Sequence, residues 1–423
     1  MKARLRLSGL LVSAMLCAAS LGVVSGSASA ASAKPIASAA AATLAASSCN
    51  GPTVKLGMIG AINTPEEDVT PAVESAEAAA AAVTRSCELG GPVKIISCND
   101  QFNPNVAAQC GRTLVSDGVV AIVGSQGVNG DSYTPITSAA GIPEVGSLAA
   151  SSLQITNSLS YPMVNAVAAL ISEASVAKSL GATKLAVVGP DVSSVQQIVT
   201  ILQSNLKAEG LTYAGGVFVP ADVTDLTQYA AQVVATGANA ILPIFTTADN
   251  ISFMKDLAQQ GTSLATTRVI INGATVSLHD IKQMGSAGNG LYLVSQVWPT
   301  DKTSNSGIKQ YVSELKAAGF HSVDEDDMAV IAWSDVHIVA NLLKNSKTKT
   351  AAALVAQIKT AGPISLPQLA PFNWSQDPFT GNPVLSAVRA FSEYGLVDHM
   401  EKGEEVPITN GFVNLFSTFK TKG

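Results

Sequence analysis

At 423 residues the chain exceeds what one ordinary core holds, so two domains are expected. Apolar residues make up 47% and charged residues 13%, with a net charge of −6. That is the balance of a globular chain with a Ser/Thr/Asn/Gln-rich surface, and its acidity excludes nucleic acid as a partner.

In chain order, the first stretch reads as a targeting segment. Lys2, Arg4 and Arg6 form a basic region, Leu7 to Val24 an apolar one, and Ala28-Ser29-Ala30 a small-residue cleavage signal. Residues 1–30 are therefore expected to be a signal peptide, with an uncleaved anchor as the alternative. Neither Cys17 nor Cys49 stands where a lipoprotein cysteine belongs. The protein is expected to be exported, at the cell surface or secreted and open to membrane association. Past this segment no apolar run approaches the roughly 20 residues that span a bilayer. Residues 31–50 are an Ala/Ser-rich linker.

Val54 to Gly60 reads as a first strand, and Pro71 opens an Ala-rich helix to about Cys87. The polar exit loop between them, Ala61 to Asp68 with Asn63, is expected beside the turn at Ser125. Val93 to Ser97 is a second strand, and Asn103-Pro104 starts a helix through Val115. Val119 to Val123 is a buried strand broken by Gly124, with Ser125, Gln126 and Gly127 at its carboxyl end. A helix from Asp131 or Ser132 to about Ala140 and a strand from Val145 to Ser147 lead to a second polar turn, Ala149-Ala150-Ser151. In open parallel sheets ligands bind beyond the carboxyl ends of strands, so two such turns side by side predict a small-molecule site. Ser125 and Ser151 can also serve as ordinary turn residues.

From Leu170 the helix–strand alternation restarts, with strands at Lys184 to Gly189, Thr212 to Val219, Ala240 to Phe245, Arg268 to Asn272 and Leu291 to Val297. Helices lie between them, among them Ser193 to Glu209. Helices over Gly307 to Ala318, Asp327 to Asn345 and Ala351 to Thr360 follow, then a Pro-rich strap from Ala361 to Pro383. The fold class is α/β, with two parallel-sheet lobes. The chain is expected to cross between them near residues 164, 299 and 363, giving one lobe from 51–164 with 300–362 and another from 165–299 with 363–423.

Cys49, Cys87, Cys98 and Cys110 remain after the leader, an even number that fits disulfides in an exported chain. Their spacing contains no C-x-x-C, which disfavours zinc. Three pairings are open. Cys98 with Cys110 is favoured because the end of a strand and the early turns of the next helix lie close, with Cys49–Cys87 following. Asp324-Glu325-Asp326-Asp327 reads as a solvated loop capping a helix rather than a calcium site, and the four histidines are scattered. No metal or cofactor is expected. The 124–130 stretch, GSQGVNG, has its glycines at the wrong offsets for a dinucleotide turn, and no P-loop, nucleophile elbow or H-E-x-x-H occurs, so no enzyme activity is expected.

The ordered set VKLGMIG, CNDQFNPNVAAQC, VVAIVGS, GIPEVGS, LAVVGPD, AILPIFTTAD, Trp298 and PFNWSQDPFTG resembles the extracellular solute-binding proteins of the branched-chain amino acid transport family. The resemblance implies a type I periplasmic-binding fold, with two lobes closing on an amino acid or related carboxylate or amide that is handed to a membrane ABC permease. A receptor module acting through a separate membrane protein is the alternative. In the family, positions matching Ser125 and Gln126 hold the ligand carboxylate, and Ala149, Ala150 and Ser151 match the next turn. Phe245 with Thr246 and Trp298 match aromatic contacts, and Asp191 stands in a loop that commonly faces the ligand. One departure is plain. Where amino acid binders place an acid to pair the ligand ammonium, this chain reads Asn272-Gly273-Ala274-Thr275. Asp191 or Asp249 would have to replace it, or the ligand lacks that ammonium.

Overall fold

The computed structural model describes residues 49–423 apart from 65–66, 221–222, 321–325, 381, 383–384, 418, 420 and 422–423. The expected signal peptide, Cys17, nearly all of the linker, and Asp324 and Glu325 lie outside the described residues.

The first part alternates as its periodicity predicts: β1 (Val54–Gly60), α1 (Thr70–Ser86), β2 (Val93–Asn99), α2 (Pro104–Asp117), β3 (Ala121–Val123), α3 (Gly130–Ala139) and β4 (Glu144–Val145). Local chemistry sets the boundaries. Asn103 caps α2 by accepting from the backbone N–H groups of Asn105 and Val106, Pro104 opens its first turn, and Gly118 at φ 71° closes it. Three two-residue strands follow, β5 (Leu148–Ala149), β6 (Ser160–Tyr161) and β7 (Val164–Asn165). Strands β2-β1-β3-β4-β6 form one parallel sheet in that order.

The second part contains α4 (Ala166–Ser179), β8 (Lys184–Pro190), α5 (Ser193–Glu209), β9 (Thr212–Val219), α6 (Thr227–Ala235), β10 (Ala240–Pro243), α7 (Thr247–Gln259), β11 (Arg268–Asn272), α8 (Leu278–Met284) and β12 (Tyr292–Ser295). Then come α9 (Ser306–Ala318), α10 (Asp327–Leu343), α11 (Ala351–Ile358), the hairpin β13 (Ile364–Leu366) with β14 (Leu369–Phe372), and β15 (Tyr394–Glu401), β16 (Glu404–Pro407) and β17 (Val413–Asn414). The second sheet runs β16-β15-β12-β11-β10-β8-β9, with β17 also on β15. Its β8 to β12 strands are mutually parallel, but β15 pairs antiparallel with β12 and β16 antiparallel with β15.

The helices after β12 return to the first sheet. Residues of α9, α10 and α11 join α1 and the first-sheet strands in one core, while α2 and α3 cover the opposite face. Ala72, Ala76, Ala79 and Ala80 of α1 are buried, and these small side chains admit the close approach of α10. Where β12 ends, Trp298 N–H donates to Gln368 O and Ala370 N–H to Gln296 O, so the Pro-rich segment is stitched to the exit of β12. At the earlier passage Asn165 caps α4 and donates from Nδ2 to Arg389 O.

All four cysteines lie around the first sheet. Cys49 is bonded to Cys87 and Cys98 to Cys110, with Cα–Cα separations of 5.5 and 5.6 Å.

Candidate functional site

The carboxyl ends of β1, β3, β8, β10 and β11 converge on a cavity of about 540 Å³. This size falls within the roughly 300 to 1,000 Å³ of sites that enclose small organic ligands. Glu67 and Asp68 reach it from the loop after β1, Gln126 and Gly127 from the turn after β3, and Leu148 and Ala150 from the segment after β4. On the other side stand Leu170 and Glu173 of α4, Val195 and Ile198 of α5, Ile244 to Thr247 after β10, and Asn272 to Ser277 after β11. With Val128, Val164, Ala169, Val192 and Ile251 also facing the space, the lining as a whole is more apolar than polar.

The turn after β3 is held from below. Gly124 has φ 55°, and a Cβ there would stand 2.5 Å from Ala332 Cβ of α10, so the helix runs directly beneath the strand end. Ser125 is wholly buried and its Oγ accepts from Ile59 N–H of β1, which anchors the turn to the neighbouring strand. Gln126 is 8% exposed, lines the cavity, and its Oε1 has no donor among the described residues.

Two carboxyl groups mark opposite walls. Glu67 is partly buried and its Oε2 has no partner among the described residues. Burial, with the charges of Asp100 and Asp326 adding to it, pushes its pKa up to about 7. Glu173 is 4% exposed, and burial pushes its pKa up to about 8 although the Asn272 amide opposes the rise. The Asn272 side chain is oriented by Ala274 N–H, which donates to its Oδ1. Its Nδ2 is buried and makes no close hydrogen bond among the described residues.

Among the expected site residues, Gln126, Ala150, Phe245 and Thr246 line the cavity together. The others stand elsewhere, each for a visible reason. Ser125 is committed to Ile59, and Ala149 is buried in β5. Ser151 faces Gln154, accepting at Oγ from its backbone N–H while its own N–H donates to Gln154 Oε1. Asn63 is exposed at φ 54°, its N–H bonded to Asp68. Asp191 is exposed and accepts from Gln196 Nε2, and Trp298 packs edge-on to Phe412 at 5.9 Å. Asp249 accepts from Thr246 Oγ1 and does not line the cavity. Sequence reasoning missed Glu67 and Glu173. The signal for Glu173 was present: it is the lone acid in AVAALISEASVA, a helix buried on nearly every face.

The model of the family described as "Periplasmic binding protein" matches residues 53–386. No curated protein matches this chain. Among solved structures, an extracellular ligand-binding receptor from Verminephrobacter eiseniae is 18% identical, covering 84% of this chain and 100% of its own, with a TM-score of 0.72. An ABC transporter solute-binding protein from R. palustris, in complex with 4-hydroxybenzoate, is 18% identical over 88% of this chain and 98% of its own, with a TM-score of 0.69. A possible leucine/isoleucine/valine-binding protein from Rhodopirellula baltica is 13% identical over 84% and 96%, with a TM-score of 0.70. At these identities the likeness is one of fold, the type I arrangement of two α/β sheets. With more than half its length matched by the family model, the chain belongs to the periplasmic binding protein family.

Proposed function

We propose that the protein is an exported solute-binding protein that captures a small molecule in the cavity between its sheets and delivers it to a membrane ABC permease. The observation that carries this reading is the cavity of about 540 Å³ built from strand ends of both sheets and lined by Gln126, Ala150, Phe245 and Thr246 with Glu67, Glu173 and Asn272. A ligand touching both sides favours the arrangement in which they are close, which is how binding biases closure. Residues 51–164 with 300–362 would form one closing lobe and 165–299 with 363–423 the other, hinged at the three chain passages. Ser125 and Ser151 then act through the turns they hold. The family is one of solute binders.

The lining supports a ligand with a substantial apolar body, because Leu170, Val195, Ile198, Ile244 and Phe245 surround the space in which a free amino acid would place few atoms. A thermal-shift screen of the protein against hydrophobic amino acids, aromatic acids, amides and amines tests the reading. Ligands that bind only the folded state raise its melting temperature by mass action. A panel without a single shift would count against solute capture.

A further inference from the structure

Resting on that reading, we propose that the cleft takes a hydrophobic amine, with its apolar body against the second sheet and its ammonium between Glu67 and Gln126. Two acceptors converge there without donors. A Cβ placed on Gly127 would lie 3.1 Å from Glu67 Oε2, so this carboxyl sits over the same turn that presents Gln126. Glu67 Oε2 and the nine-tenths buried Gln126 Oε1 are both without partners among the described residues. Buried acceptors left unpaired are costly, and a ligand with several N–H donors satisfies both at once.

The charge around the cavity has one sign. Glu67, Asp68 and Asp326 face it from the first side and Glu173 and Asp280 from the second; among the described lining residues there is one histidine, His279, and no Lys or Arg. Asp100 also acts on Glu67 electrostatically. A carboxylate ligand would enter this field with no counter-cation, and removing a charge from water without a partner costs several kcal/mol. A neutral ligand could donate a hydrogen bond to Glu67 but would leave its charge without a counter-charge. An ammonium reverses the repulsion that Asp100 and Asp326 exert on Glu67 and converts a protonated carboxyl into an ion-pair partner. The apolar wall of Leu170, Val195, Ile198 and Ile244 accounts for the remainder of the ligand.

Three probes with one carbon skeleton and different heads decide the matter: 4-phenylbutylamine, 4-phenylbutyramide and 4-phenylbutyrate, titrated calorimetrically into the full chain as exported. The amine is expected to bind at least tenfold more tightly than either of the others. Its affinity should rise about tenfold between pH 6 and pH 8, since a carboxyl titrating near 7 goes from mostly protonated to mostly ionised over that span while an alkylamine stays protonated to about pH 10. Glu67→Gln should abolish both the preference and the pH slope, and its melting temperature reports whether it folds. The ranking and the pH slope of the unaltered protein stand independently of that variant. 4-Phenylbutyrate or 4-phenylbutyramide binding as tightly as the amine would overturn the assignment and leave solute capture intact. Absence of binding by all three and by the broader panel would overturn both.

Discussion

The carboxyl of Glu67 lies over Gly127, its Oε2 only 3.1 Å from where a Cβ would stand on that glycine. Gly127 also has φ 112°, a conformation L side chains rarely adopt. Gly127→Ala therefore displaces Glu67 and strains the turn together. We expect a loss of about 1 to 2 kcal/mol in urea denaturation, and weaker binding of any ligand that reaches the β3 turn.

Glu173 makes stability depend on pH. Its folded-state pKa stands near 8 against an ordinary 4.5, so the folded protein holds a proton that the unfolded chain releases. The sign follows: this contribution is whole below about pH 4.5 and is lost as the pH rises toward 8. Glu173→Gln, which keeps the shape and has nothing to ionise, is expected to lose less stability between pH 5 and pH 8 than the unaltered protein. The gap at pH 8 should be on the order of a few kcal/mol, read from denaturation midpoints at the two pH values.

Asp335 of α10 and Gly146 form the tightest approach beneath the site. Both carboxyl oxygens of Asp335 are buried and make no close hydrogen bond among the described residues, and burial holds the group far above the usual carboxylate range although the Gly124 backbone N–H opposes the rise. A Cβ on Gly146 would stand 1.7 Å from Asp335 Oδ2, at φ 70°. Gly146→Ala is expected to cost about 2 to 4 kcal/mol. Combining it with Asp335→Ala should recover at least about 1 kcal/mol of the summed losses in a double-mutant cycle. Strict additivity would show that the two do not meet.

The disulfides are expected to stabilise by an amount that grows with the logarithm of the loop each closes. Replacing Cys98 and Cys110, 12 residues apart, by Ser should cost about 3 kcal/mol, and replacing Cys49 and Cys87, 38 apart, about 4 kcal/mol. Equilibrium unfolding of the two double variants without reductant measures the order.

Much of the architecture was legible because each segment agreed with its own period. The strands Thr212–Val219 and Arg268–Asn272 and the helix Ser193–Glu209 fall where apolar runs, alternation and glycine stops predicted them. The antiparallel strands β15 to β17 were not foreseen. They follow a Pro-rich segment, and their tight turn is Lys402-Gly403, at φ 54° and 81°, where a lysine obscures the usual turn signature.

The site was legible in its place and less so in its chemistry. Gln126, Ala150, Phe245 and Thr246 lie at strand ends, where topology alone puts ligand contacts. Ser125 shows the limit: sequence gives its position at the turn, but only the register of β1 beside β3 shows that its hydroxyl meets Ile59. Glu173 was passed over although its apolar surroundings in the sequence marked it, because an acid inside a helix is ordinarily solvated and this one becomes a cavity group through burial of the whole helix.

The most direct test of solute capture blocks the cleft while leaving the rest alone. Ala150 lines the cavity from the first side, and Ala150→Trp fills part of it. The panel of amines, acids, amides and amino acids is applied by thermal shift to both proteins. The account predicts that at least one compound raises the melting temperature of the unaltered protein and has no effect on Ala150→Trp, whose own unfolding remains cooperative. Equal shifts in both proteins would place the ligand outside this cavity and contradict the account.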